Sequence, residues 1–215
     1  MSLAPIEEAL KRIRRGEMVL VVDDEDRENE GDLTMAACWV TPEAINFMLR
    51  WARGLVCLPC DARRLDELDV QPMVPSADAD NDTAFTVSID HVTAGSGIGA
   101  GDRATTIRRL LDPDARPSDF QRPGHVFPLR ARPGGVLERR GHTEAAVDLA
   151  RLAGLPPAAA ICEVLAEDGS PARLPYLREF ASDHRIAMIA VDQIVEHRLA
   201  HDDTAAHGLV APLLL

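Results

Sequence analysis

Seven carboxylates crowd into the ten residues from Asp23 to Asp32, directly after the unbroken apolar run Met18-Val19-Leu20-Val21-Val22. A core cannot take in such a segment, because like charges repel and each is costly to desolvate without a partner. The chain must therefore leave a buried strand at Val22 and surface at once. The exposed stretch is then either a solvated face or a site for a cation and a polar substrate. Arg27, Asn29 and Gly31, set among the acids, favour the site, since a solubilising run has no need of a bidentate donor, a neutral amide and a flexible hinge. It is not an EF-hand: counted from Asp24, the glycine position holds Asn29 and the bidentate glutamate position holds Met35.

Helix and strand signals alternate along the rest of the chain, without repeats or a low-complexity linker. Apolar spacing at Ile6, Leu10 and Ile13 predicts an amphipathic helix over 5–15, and Met18 to Val22 a buried strand. A returning strand is expected over 33–38. Thr41-Pro42-Glu43 opens a helix that Gly54 ends, and Leu55 to Leu58 forms the next strand. The Asp- and Pro-rich stretch 72–82 reads as a loop before a β-type run over 84–89. With 215 residues, 46% of them hydrophobic, the chain has enough apolar content for one large domain. The expected class is α+β: a single mixed α/β domain with a central mixed sheet layered by helices, over 1–203, followed by a C-terminal tail, 204–215.

The balance of charge removes whole classes of partner. A net charge of -12 without any basic stripe argues against nucleic acid. No apolar stretch is long enough to span a membrane, and the N-terminus lacks a basic-then-apolar signal, so no membrane partner and a cytoplasmic location are expected. Four cysteines in such a chain read as reduced thiols.

Three later segments carry chemistry. Gly95 to Asp102 is a glycine-rich loop running into a helix over 103–111, with Asp102 as its cap. Arg122-Pro123-Gly124-His125 is a tight turn presenting His125 before a short apolar strand. Arg139-Arg140-Gly141-His142-Thr143-Glu144 opens a helix that Gly154 stops. His142 and Thr143 thus sit at a helix N-terminus beside Arg139, a setting that favours a phosphate. Other residues read as bland. Cys57 and Cys60 lack the second ligand pair of a structural zinc, His197 and His201 form a polar surface, and Arg103, Arg108 and Arg109 a solvated helix face. Hard carboxylate oxygens, two histidines on separate loops and phosphate-ready helix starts point to a magnesium or manganese enzyme acting on a small phosphorylated substrate.

The segments 23–32, Thr83-Ala84-Phe85-Thr86-Val87-Ser88, Arg122 to Leu129, Gly141-His142-Thr143-Glu144-Ala145 and Ile161-Cys162-Glu163 resemble 3,4-dihydroxy-2-butanone 4-phosphate synthase, in the same order, from about Ile6 to Arg198. The resemblance implies a magnesium-dependent lyase, with manganese possible, converting ribulose 5-phosphate to L-3,4-dihydroxy-2-butanone 4-phosphate and formate. It also implies a homodimer with active sites at the interface. Carried over motif by motif, Glu28 and His142 bind the metal. His125, Glu163, Asp32 and Glu30 are catalytic, while Arg27, Asp32, Cys57, Ser96, Arg139, Thr143 and Glu163 contact substrate. Ser96 and Gly99 depart from the family's usual Thr and Ser, Arg140 replaces a small residue beside the phosphate turn, and Cys60 is unexpected. Without the cyclohydrolase domain of many relatives, a monofunctional form is expected. Two other readings stay open: another metal-dependent phosphosugar enzyme, such as an isomerase or aldolase, and a non-catalytic metal- or anion-binding module.

Overall fold

The computed structural model describes residues 2–74 and 83–206. Its centre is a seven-stranded mixed sheet. The strands are β1 (Val19–Val22), β2 (Gly31–Ala36), β3 (Cys57–Cys60), β4 (Ile89–His91), β5 (Phe120–Arg130), β6 (Ala159–Glu163) and β7 (Ala187–Ala190), in the spatial order β4-β5-β3-β6-β2-β1-β7. The β1–β7 and β3–β5 pairs are parallel, and the other four are antiparallel. Helices cover both faces: α1 (Ile6–Arg14), α2 (Pro42–Phe47), α3 (Ala62–Glu67), α4 (Ala100–Leu110), α5 (His142–Leu152), α6 (Leu174–Asp183) and α7 (Val191–Ala206).

The unbroken apolar run of β1 follows from this layering. Leu20 and Val22 pack into one core with Ile45 of α2, Ile107 of α4 and Phe180 of α6. Val19 and Val21 face the other, with Ile13 of α1, Leu149 of α5 and Ile194 of α7. A strand buried on both faces needs apolar side chains at every position rather than every second one. Thr41 caps α2 as expected, accepting from the Ala44 amide at 3.2 Å.

Several boundaries differ from expectation, each for a local reason. The helix begun by α2 ends in a wider turn over Met48–Ala52 and stops at Arg53, whose φ is 72°, rather than at Gly54. Gly54 is instead needed for close approach: a Cβ there would meet Glu163 Oε2 at 2.7 Å and collide with its carbonyl oxygen. β3 consequently starts at Cys57 and not Leu55. Gly31 is no hinge; it opens β2 in the core, where a Cβ would come within 2.8 Å of Leu177 Cδ1. β2 ends at Ala36, so Cys38 falls in a helical turn, Ala37–Trp39.

The strand expected over 84–89 reduces to isolated bridges at Phe85 and Thr86, and the regular strand forms at Ile89–His91. Thr86 donates its amide and hydroxyl to the Pro128 carbonyl at 3.1 and 2.8 Å. Pro128 has no N–H to return the bond, so no ladder can propagate there. His125 sits inside the long strand β5 rather than on a tight turn before it. α7 runs to Ala206; residues 207–215, and 75–82 of the expected loop, lie outside the described residues.

Candidate active site

A cavity of about 240 Å³ opens where the acidic loop, the start of α5 and the end of β6 meet. Nine residues nominated from sequence line it: Arg27, Glu28, Glu30, Asp32, Cys57, Arg139, His142, Thr143 and Glu163. Segments more than a hundred residues apart reach one space because β2 lies between β1 and β6, with Asp32 directly opposite Glu163 in the antiparallel register.

The acidic loop is organised by its first residue. Asp23, whose side chain is 1% exposed, pairs with Arg27 at 2.6 Å. It also accepts the amides of Glu28 and Glu30 at 3.2 and 2.8 Å. Asn29 takes a left-handed φ of 55°, which a short amide side chain tolerates. Arg173, before α6, clamps the Glu28 and Asn29 carbonyls at 2.6 Å each. The loop thereby holds Glu28 over His142, with Oε2 at 3.6 Å from Nδ1.

At the start of α5 two guanidinium groups converge. A Cβ on Gly141 would collide with Arg139 Nη1 and lie 3.0 Å from Arg27 Nη2, so glycine is what lets both cations fold over the free N–H groups of the first turn. Arg139 is buried and paired with Glu144 at 2.7 Å. Dipole, cations and the Thr143 hydroxyl together form an anion seat.

The carboxylates are set apart by environment. Burial pushes Asp32 up to about 7, against the pull of His142. The imidazole of His142, then Arg27 working against burial, hold Glu28 down at about 2. Burial alone would lower His142, but Asp32, Glu28 and Asp23 raise it to about 9. Leu55 donates its amide to Glu163 Oε2 at 3.0 Å, fixing that carboxylate at the rim. Among the described residues, Asp32 Oδ1 and His142 Nε2 are buried without a hydrogen-bond partner. Asp23, Glu28 and His142 offer ligand atoms all within 4.8 Å of one another. Two carboxylates and an imidazole so placed fit a divalent cation of the magnesium or manganese kind.

His125 and Ser96 do not line this cavity. They share a shelf formed by β4, β5 and the glycine loop: Gly97 packs against the His125 ring, with a virtual Cβ at 2.5 Å from Nδ1. Ser96 is exposed beside it, and the His125 side chain is 43% exposed. Asp102 is not a cap. It lies inside α4, with Gly99 in the capping position, and its carboxylate ties down the amides of Gly95 and Gly97 at 3.0 and 3.1 Å.

Comparison with known proteins gives this geometry its context. The family model for 3,4-dihydroxy-2-butanone 4-phosphate synthase matches residues 7–197. The chain belongs to that family. It is 58% identical over 200 residues to a riboflavin biosynthesis protein RibBA of Aquifex aeolicus, covering 92% of this chain and 49% of the relative. To RibBA of Bacillus subtilis it is 53% identical over 194 residues, covering 90% and 49%. The chain thus spans about half the length of the curated relatives it matches. A crystal structure of a 3,4-dihydroxy-2-butanone 4-phosphate synthase in complex with two magnesium ions superposes with a TM-score of 0.88 at 40% identity, over 93% of this chain and 99% of that one. RibBX of A. baumannii, a two-domain synthase, gives 0.89 at 45% identity, over 92% and 59%.

Departures from the synthase pattern are absorbed without entering the cavity. Arg140 is exposed and pairs with Asp192 of α7 at 3.1 Å, away from the anion seat. Cys57 and Cys60 stand three apart on β3 and join different cores, Cys57 beside Ile161 and Cys60 beside Leu58, so they cannot share a metal. Burial raises both thiols, Cys60 to about 12, and neither is a nucleophile at neutral pH. Arg103, expected on a solvated face, is buried with its Nε unpartnered among the described residues, whereas Arg108 and Arg109 are exposed as expected. Sequence reasoning missed Asp23 as a third ligand candidate and Asp90, which contacts His125. The one available signal for Asp23 was its place as the first acid after the buried strand.

Proposed function

We propose that this chain is a magnesium-dependent lyase that converts ribulose 5-phosphate to L-3,4-dihydroxy-2-butanone 4-phosphate and formate. The observation that carries the reading is the convergence of an anion seat, a three-ligand cation cluster and a carboxylate near neutrality on one cavity. Arg139, Thr143 and the N-terminus of α5 hold the phosphate. Glu28 and His142, with Asp23 beside them, would hold the cation, which when bound stabilises negative charge developing on neighbouring substrate oxygens. Arg27 and Glu30 face the sugar, and the neutral Cys57 thiol forms its floor.

Asp32, titrating near 7, takes up and returns a proton within the working range. Glu163, held by the Leu55 amide, presents its carboxylate across the strand pair from Asp32. His125 supplies the further acid–base group. It stands outside the cavity with Ser96, so a second copy of the chain is needed to bring that shelf to the site, and the active unit is a homodimer with sites at its interface. A solved synthase that the chain covers over 99% of its length supports this activity. A cytoplasmic location is supported by four unpaired cysteines and, among the described residues, by no helix long and apolar enough to cross a membrane.

Formate release from ribulose 5-phosphate tests the proposal, with magnesium, with EDTA, and with a Glu163→Ala variant. Formate that requires both the metal and Glu163 is the expected result. Its absence from folded, metal-loaded wild type would sink the assignment and bring the binding-module reading forward.

A further inference from the structure

The ring of His125 is held by a group that no motif singled out. β4 and β5 pair antiparallel with a shift of register between Ile89 and Asp90. At Gly124 the two strands come so close that a Cβ would collide with the backbone of Ile89 and Asp90. This approach delivers one carboxylate to two parts of one residue. Asp90 Oδ1 accepts the His125 amide at 2.8 Å, and Oδ2 stands 2.7 Å from Nδ1. Two contacts fix the rotation of the imidazole. A carboxylate only accepts, so the ring donates from Nδ1, and in its neutral form Nε2 carries the lone pair.

The surroundings lock this pair. Gly97, at φ +82°, lies over both partners, where a Cβ would collide with Asp90 Oδ2. The loop carrying it is anchored by Asp102. The Asp90 side chain is 10% exposed against 43% for His125. A buried acceptor therefore holds an open ring, which is the arrangement a proton-transfer histidine needs.

We propose that Asp90 is a positioning residue for the reaction: it holds His125 as the Nδ1–H tautomer so that Nε2 can take a proton from substrate and later return it. The inference rests on the lyase reading. In the step, Nε2 gains the proton as the substrate bond to hydrogen breaks, the imidazolium keeps its Nδ1–H toward Asp90, and the same Nε2–H is given back.

The test pairs kinetics with nitrogen NMR of the His125 ring in the full chain, for wild type, Asp90→Asn and Asp90→Glu. The expected result for Asp90→Asn is a fall in kcat of roughly 10²–10⁴-fold with KM within a few-fold, as when a general acid–base group is misaligned. The Nδ1–H signal of the neutral ring should be lost in Asp90→Asn and regained in Asp90→Glu, together with much of kcat. An Asp90→Asn enzyme within about twofold of wild type, or one whose ring keeps the same tautomer, would overturn the proposal. Should Asp90→Asn fail to fold, the wild-type spectrum decides: a bare Nε2 supports the proposal and a protonated Nε2 with bare Nδ1 overturns it. Absence of formate from wild type would count against the lyase reading, while the tautomer still reports on Asp90.

Discussion

Around the cavity, Asp32 Oδ1 and His142 Nε2 are buried without partners among the described residues, whereas on the shelf Asp90 places both oxygens on His125 and Asp102 places both on the glycine loop. The cavity thus holds buried polar atoms that no described protein group satisfies. In the proposed function, a cation and a phosphorylated guest complete them. The shelf is complete within itself and half-open to solvent. On the proposed reading, one region binds by what it lacks, and the other acts by what it has already fixed. Variants of the cation and anion holders in the cavity should therefore lose affinity for metal and substrate, and variants on the shelf should lose turnover.

The largest expected effect breaks the two regions apart on separate chains. Glu28→Gln disables the cavity and His125→Ala disables the shelf, and each homodimer should release formate at least about 10²-fold more slowly than wild type. Co-refolding the two variants in equal amounts should restore roughly a quarter of wild-type activity, since half the dimers are mixed and each then carries one intact site. No recovery, with mixed dimers shown to form, would mean that both regions serve a site within one chain.

Next in size is the pH dependence of metal binding, which reports on the cavity because His142 is one of its ligand candidates. His142 is raised to about 9, so near neutrality it must shed a proton to become a ligand. Magnesium affinity measured by titration calorimetry should rise by about tenfold per pH unit between pH 7 and 9. Proton release should appear as a dependence of the heat on buffer. The same profile should persist in Asp90→Asn, where the shelf alone is changed.

A smaller effect concerns stability. Asp32 is buried, and its folded-state value of about 7 exceeds the ordinary 3.8. The folded chain thus holds that proton more tightly than the unfolded one. The group costs nothing below about 3.8, and its cost grows as pH rises and is complete above about 7. In EDTA, Asp32→Asn should gain about 1 kcal/mol of stability at pH 8 and almost none at pH 4, while formate production is lost. Denaturant melts at the two pH values measure the difference.

These contrasts also explain what could be read in the sequence. β1, α1 and the capped start of α2 were legible because hydrophobic period and cap chemistry are local. The acidic loop and the start of α5 were legible because their charge patterns have no use in a core, whereas Cys57 and Glu163 were legible only through the family resemblance. Asp90 was not, since its value lies in a strand register and in the space left by Gly124, which depend on residues 35 positions apart. Gly54 and Gly31 were read as a stop and a hinge, although what they provide is room for Glu163 and Leu177. A missing Cβ acquires its meaning only when the neighbour is known. Asp102 failed similarly: an acid near a helix start reads as a cap, yet its carboxylate reaches back five and seven residues.

The smallest effect tests whether a charge beside the anion seat belongs to it. Arg140 precedes Gly141 in sequence, but its side chain is 63% exposed and turned toward Asp192, itself 54% exposed. An exposed pair of this kind is worth about 0–1 kcal/mol, and solvent screens its field at the phosphate. Arg140→Ala should leave KM for ribulose 5-phosphate within about twofold and its salt dependence unchanged, because Arg139, buried against Glu144, carries the local charge. A several-fold rise in KM that added salt erases would extend the cavity's field to the surface and blur its boundary. An unchanged KM confines the anion seat to the residues that line it.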